Sequence, residues 1–370
     1  MANNSQRQFP NIKQQSGTVL VTVLLVVAFV VVLVVEANKT VNYQTSLNRN
    51  LMNRDQAYSY LVGMEELAKI YLKKAFDAEK ENIVHLGQAW AQDDITFPID
   101  GGAMTAKIID MQSCLNINSI VTPDPSTNST NNNASQPLQP PAGGARTNPT
   151  TPNNNQRGNP NQANVSKSGE IILTNLLEKV LDSTEIQAPA LVAALSDWID
   201  NDFTPSGPDG VEDLYYQGLE IPYLPPNGPI AHVSELRTVR YFDADSYEKL
   251  RPFICVLPDA KETQINVNTI TSEKADLLYA ALGGKIPHSE VTQLISERPE
   301  AGYDLQTFWE SLSDPGKVSK GLKSRLTDTS KYFLMDAKAE INRTRVYMKT
   351  VFIKEDSNAF KVVSRYFGKE

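Results

Sequence analysis

An acidic loop in the middle of the chain holds the side chains best suited to chemistry. It runs Asp197-Trp-Ile-Asp200-Asn-Asp202-Phe-Thr204-Pro-Ser-Gly207-Pro-Asp209-Gly210-Val-Glu212-Asp213-Leu-Tyr-Tyr216. Asp200, Asp202 and Thr204 stand at relative positions 1, 3 and 5, the spacing of oxygen ligands in an EF-hand loop. That motif needs glycine at position 6 and glutamate at position 12. Pro205 and Val211 hold those places here, so the loop is not an EF-hand. Glu212 and Asp213 follow at once and could close a set of about six to eight oxygens, which suits a hard cation. The competing reading is a solvated acidic loop that binds nothing.

Other reactive side chains are sparse. The three histidines, His85, His232 and His288, are scattered, and Cys114 and Cys255 are the two cysteines. Two thiols exclude a four-thiolate zinc site and a disulfide-dense scaffold. No spacing brings a nucleophile, a base and an orienting group together, so the chain is read as a non-enzyme. Residues 265–298 look like a helix-hairpin-helix, a module that elsewhere grips DNA backbones. Between 265 and 312, however, the bases Lys274, Lys285 and Arg298 face seven acids. The whole chain carries 35 Lys and Arg against 43 Asp and Glu, a formal charge of −8. Phosphate binding needs clustered positive charge, so no nucleic-acid partner is expected.

The elements that must position these residues begin with Thr18–Val35, eighteen residues without a charge. As a helix they extend about 27 Å, close to the roughly 30 Å of a bilayer core. A soluble core helix would show a polar stripe, and this run has none. Valine suits such a segment poorly in water, but lipid forces its backbone groups to pair internally. A cleaved secretory signal would be shorter and end in an A-x-A pattern, whereas Glu36-Ala-Asn-Lys39 follows here. Arg7 and Lys13, with no acid before Thr18, place residues 1–17 in the cytoplasm by the positive-inside rule. The chain after Glu36 then lies across the membrane. In an oxidising compartment, Cys114 and Cys255 would form one disulfide, the alternative being two buried thiols.

Beyond the membrane, Tyr43, Leu47, Leu51, Ala57, Leu61, Met64, Ala68 and Leu72 recur at helical spacing, so one helix is predicted over about 18–76. Gly101-Gly102 marks a turn between hairpin strands at 97–100 and 103–110. Residues 122–168 contain eleven Asn and eight Pro and almost no large apolar group, the composition of a disordered insert. Helices are predicted over 171–181 and 188–199, and in 265–326 one helix capped by Thr269 or Thr271 and ended by Leu282-Gly-Gly284, followed by another over 289–298. Alternation in 332–341, 346–353 and 360–367 predicts a three-stranded antiparallel meander.

The junction Gln15-Ser-Gly17-Thr18-Val-Leu-Val-Thr22 resembles the type IV prepilin class. That resemblance implies cleavage by prepilin peptidase between Gly17 and Thr18. It also makes Thr22 the fifth mature residue, where most members have Glu. Further pieces narrow the likeness. They include Phe97-Pro-Ile-Asp-Gly-Gly102, Leu115-Asn-Ile-Asn118, Asp197-Trp-Ile-Asp200, Gly210-Val-Glu-Asp213, Pro222-Tyr223, Ser234-Glu-Leu-Arg237 and Ile265-Asn-Val-Asn268-Thr269. In order and content they resemble the large K-type minor pseudopilin of bacterial type II secretion.

This resemblance implies an α+β pseudopilin fold. A transmembrane and stem helix packs on an antiparallel sheet, and a large α-helical domain is inserted between strands. The expected division is a leader (1–17), a membrane helix (18–36), stem and first strands (37–121), the Asn/Pro-rich loop (122–168), the helical domain (169–327) and the last strands (328–370). The resemblance also implies a single-pass inner-membrane protein with a periplasmic body, and I-type and J-type minor pseudopilins as tip partners. It further implies calcium in the helical domain, with Asp200, Asp202, Glu212 and Asp213 as its ligands. A minor pilin of a true type IV pilus, a periplasmic DNA-uptake or nuclease protein, and an ordinary single-pass membrane enzyme are the rival readings.

Overall fold

A computed structural model describes residues 16–78, 82–92, 94–123, 167–181 and 187–368. Most of the expected leader and residues 124–166 of the expected disordered loop lie outside the described residues.

Helix α1 (Ser16–Ala78) is 63 residues long, about 95 Å at 1.5 Å per residue. Its first part is long and apolar enough to cross a membrane. From Val19 to Val35 its large apolar side chains are all exposed, as an unpacked membrane helix requires. The polar Thr22 bonds within the helix, its hydroxyl donating to the Val19 carbonyl at 2.9 Å. Further along, Ala57, Leu61, Met64, Ala68, Leu72 and Ala75 are buried at spacings of three and four, which puts them on one face.

That face packs on a sheet of five strands. A short turn around Trp90 leads to β1 (Ile95–Ile99) and β2 (Gly102–Asp110). Two-residue β3 (Leu115–Asn116) follows, and helices α2 (Ser168–Val180), α3 (Ala188–Ile199), α4 (Asp213–Gln217) and α5 (Ala244–Leu250) come next. Strands β4 (Ile254–Cys255) and β5 (Ile265–Asn266) precede α6 (Ala275–Ala281), α7 (His288–Ser296), α8 (Leu305–Glu310) and α9 (Lys320–Lys323). The chain ends with β6 (Leu326–Thr327), β7 (Tyr332–Ile341), β8 (Thr344–Lys354) and β9 (Phe360–Phe367).

The large sheet runs β1-β2-β7-β8-β9 and is antiparallel throughout. The meander and the hairpin form one sheet, as the pseudopilin resemblance implies, joined where β2 pairs with β7, Ile108 opposite Met335. On β7 the buried positions Phe333, Met335, Ala337, Ala339 and Ile341 alternate with outward ones. Ala337 and Ala339 let the stem come close, and Phe333 fills the far end against Phe76 and Trp90 at 5.5 and 5.2 Å.

The inserted helices bury a second core. Leu115, Ile117 and Ile120 belong to it rather than to the stem and sheet, so the change of core falls near Asp110. The helix expected at 171–181 starts earlier, at Ser168, and the one at 188–199 has its expected bounds. Thr271 precedes a 3-10 turn that leads into α6 but makes no side-chain cap there, and Thr269 spends its hydroxyl on Asp110, so neither expected cap forms among the described residues. Gly283 and Gly284 take φ of 78° and 67° and end α6, conformations open to glycine.

A carboxylate joins the two cores. Asp110 Oδ2 accepts hydrogen bonds from the hydroxyls of Thr269 and Ser330, both at 2.6 Å, and from the Asn266 amide at 3.2 Å. Its Oδ1 accepts the Gln112 N–H at 2.8 Å. Burial pushes this carboxyl up in pKa, and the four donors oppose that shift. Asn266 and Ser330 belong to opposite sides of the junction, so the carboxylate pins helical domain to sheet.

Candidate metal centre

The acidic loop is built outward from α3. Asp197 is fully buried, and its carboxylate accepts the Ser206 N–H at 2.8 Å and the Val211 N–H at 2.5 Å. Two backbone donors nine and fourteen residues away fold the loop back on the helix. Gly210 sits against this knot: a Cβ there would lie 2.6 Å from Asp197 Oδ2. The neighbouring Trp198 ring stacks edge-on with Tyr216 at 5.2 Å and with Tyr223 at 6.3 Å, anchoring the loop's far end.

Asp200, Asp202 and Glu212 converge on this frame. One oxygen from each lies within 4.8 Å of the other two. Asp202 Oδ1 accepts the Thr204 N–H at 2.8 Å, an Asx turn that holds it in place. Among the described residues, Asp200 Oδ1 and both Glu212 oxygens are buried without a hydrogen-bond partner. Burial, then the charges of Asp202 and Asp197, raises Asp200 to a pKa of about 6. Burial, then Asp197, Asp200 and Asp202, raises Glu212 to about 7. Buried anions without donors are costly, and a bound cation is the standard remedy. The donors are all oxygens, which suits calcium or magnesium and not zinc or copper.

The fourth expected ligand behaves differently. Asp213 is not among the three converging carboxylates; its Oδ1 accepts the Asn227 amide at 3.2 Å. Asn227 lines one cavity with Asp200 and Asp202, and its own Oδ1 is buried and unpartnered. It adopts φ of 44°, the left-handed region that asparagine tolerates. Asp213 therefore holds Asn227, which brings a neutral side-chain oxygen to the cavity that Asp200 and Asp202 also line. Residue spacing missed Asn227 because it stands fifteen residues beyond Glu212. The Asn227-Gly-Pro turn was its only signal.

The remaining expected residues fall as follows. Cys114 and Cys255 are joined by a disulfide, with 5.8 Å between their Cα atoms. It lies beside the parallel pair of β3 and β4. The two Asn-containing turns have a shared job. Asn116 reaches the carbonyls of Asp259, Ala260 and Glu262, and Asn268 donates to and accepts from Tyr303. Gly17 and Thr18 lie in the first turn of α1. In the hairpin-helix segment, Arg298 spends its guanidinium on the carbonyls of Asn268 and Ile270, and Lys274 donates to Ser113 O at 3.4 Å. Two of its three bases are thus engaged inside the fold.

The family model for type II secretion system protein K matches residues 113–259, and a second model of the same description matches residues 265–327. A type II secretion system protein K from Aeromonas hydrophila is 30% identical over 362 residues, 97% of this chain and 99% of that protein. The chain belongs to the type II secretion system protein K family. Its relatives include the protein K of Pseudomonas aeruginosa strain PAO1, 26% identical over 96% of this chain and 93% of that one. The fold is that of a minor pseudopilin. It superposes with a TM-score of 0.67 and 25% identity on a chain of the GspK-GspI-GspJ complex of the enterotoxigenic Escherichia coli Type 2 Secretion System. The match covers 87% of this chain and 99% of that chain.

Proposed function

We propose that this protein K is a membrane-anchored, non-catalytic subunit at the tip of a periplasmic pseudopilus, where it takes part in export of folded proteins across the outer membrane. The observation that carries the reading is the near-complete structural likeness to a chain solved together with GspI and GspJ. I-type and J-type pseudopilins are accordingly its proposed partners. The exposed apolar start of α1 supports a single-pass anchor, with Arg7 and Lys13 on the cytoplasmic side. Prepilin peptidase would cut between Gly17 and Thr18. A mature chain then presents Thr22 where relatives of the wider class carry a buried glutamate. An uncharged fifth residue needs no partner in lipid, which suits a subunit with nothing above it.

Calcium is the proposed ion for Asp200, Asp202, Glu212 and the Asn227 carbonyl. Its role there is structural: it neutralises three converging carboxylates and orders a loop too polar to pack. Deletion of the gene with plasmid complementation tests the export role, read as the exported proteins in the medium. N-terminal sequencing tests the processing: a mature chain starting anywhere but Thr18 removes the prepilin assignment.

A further inference from the structure

Ten arginines lie among the described residues. Seven are engaged: Arg298, Arg325, Arg345 and Arg365 donate hydrogen bonds, Arg251 pairs with Glu248, and Arg237 and Arg240 lie over tyrosine rings. The other three, Arg49, Arg54 and Arg343, have no such contact among the described residues, and all three line one cleft of about 910 Å3.

The cleft opens where the stem leaves the sheet. Ser46, Arg49, Asn50, Asn53 and Arg54 form one wall, at the spacing of three and four that shares a helix face. The tight Asn342-Arg343 turn between β7 and β8 forms the other. That turn is held in place, since the Asn342 N–H donates to the Gly101 carbonyl at 2.9 Å. Three guanidiniums and three side-chain amides therefore converge on a wedge that offers donors and no carboxylate, a site for an anion.

The bilayer is too distant to supply it. Fourteen residues separate Val35 from Arg49, about 21 Å of helix. The headgroup layer adds only about 6 Å to each face of the hydrocarbon, and charges are screened within about 8 Å. A protein surface fits better. Leu51 also lines the cleft, and Tyr43, Leu47 and Leu51 recur every four residues as an exposed apolar stripe leading up to it. Such a stripe above the membrane matches an apolar helix face, and the arginines match carboxylates on that helix. A second copy of this chain would bring its own Arg49 and Arg54 to the same height.

We propose that this cleft receives a carboxylate side chain from the stem helix of a neighbouring minor pseudopilin, and so fixes the height at which the two stems pack. The proposal rests on the assembly reading given above.

The test uses the full-length chain, co-expressed with the I-type and J-type subunits of the same system and purified in detergent. Charge reversal at two positions, Arg49→Glu with Arg343→Glu, is expected to lower recovery of the partners about tenfold at low salt. The wild-type complex should weaken as salt rises, and the variant should lose that dependence. Because these side chains are exposed and have no partner among the described residues, the variant should keep the wild-type unfolding midpoint. The milder Arg343→Ser gives a second reading if it does not. A photo-crosslinking amino acid at Asn50 should capture the stem of an I-type or J-type subunit at an acidic residue. Wild-type recovery and salt dependence in both variants would overturn the cleft's role while leaving the assembly reading intact. A crosslink to lipid or to a second copy would also overturn it. Failure of the unaltered chain to recover either partner would instead count against the assembly reading.

Discussion

Glu65 on the stem and Arg365 on the last strand form a two-pronged ion pair. The guanidinium donates from Nε to Oε2 at 2.6 Å and from Nη2 to Oε1 at 2.7 Å. Glu65 is fully buried, and Thr350 on β8 adds a third hydrogen bond at 3.2 Å. The pair ties the membrane-proximal helix to the edge strand farthest from β1, 300 residues away in sequence.

Removing Arg365 leaves a buried carboxylate with one weak donor. Arg365→Ala should therefore cost about 2 to 3 kcal/mol, read by urea denaturation at pH 7. Arg365 is partly exposed, which keeps the figure below that of a fully buried pair. Glu65→Gln with Arg365→Ala should cost less than Arg365→Ala alone, since no charge is then stranded.

The same pair sets a pH dependence. Burial pushes the Glu65 carboxyl up, but the Arg365 hydrogen bonds and charge outweigh it and hold the group below the usual carboxylate range. A lowered folded pKa means the stabilisation is fully present above the ordinary value of 4.5 and fades as pH falls through the lower folded value. Wild type should lose stability between neutral pH and about pH 3 more steeply than Glu65→Gln. Parallel curves would show that the pair adds nothing.

The cation site gives a prediction with two signs. At pH 8, above the value of about 7 to which burial and its acidic neighbours push Glu212, that group is ionised, and in chelator Asp200, Asp202 and Glu212 repel one another. Glu212→Gln should then stabilise the chain by about 1 to 2 kcal/mol. In millimolar calcium the same substitution should destabilise it, because a ligand is lost. Thermal unfolding in both buffers checks this, and limited proteolysis should cut within 200–212 only in chelator. An effect of the same sign in both buffers would reduce the cluster to a solvated acidic loop.

The disulfide closes a loop between residues 141 apart. In the chain-entropy view, this restricts the unfolded chain by about 4 to 5 kcal/mol. Cys114→Ser with Cys255→Ser should therefore lower the denaturant midpoint without changing the native circular dichroism spectrum. Two free thiols in the unfolded, unreduced wild type would contradict the bridge.

What the sequence disclosed depended on range. Helix α3 was legible to the residue, because Pro189 suits a first turn and an apolar run follows it. Strands β7 and β9 were legible from alternation ending at Ile341 and Phe367. The pairing of β2 with β7 was not, because register between strands more than 200 residues apart leaves no local mark. In sequence Glu65 is one more charge on a stem helix, since its partner stands at the other end of the chain. In the candidate metal centre, Asp200, Asp202 and Glu212 followed from spacing. Asn227 did not, because a tertiary contact with Asp213 delivers it. The three arginines of the cleft, without a partner among the described residues, leave no mark in the sequence for the opposite reason: only the structure reveals which charges find partners.

Membership of a tip complex is tested most directly by purifying the full-length chain with the I-type and J-type pseudopilins of its own system. Size-exclusion chromatography with light scattering should give one species with one copy of each. Elution of this chain alone, while the other two subunits bind each other, would contradict the proposed assembly.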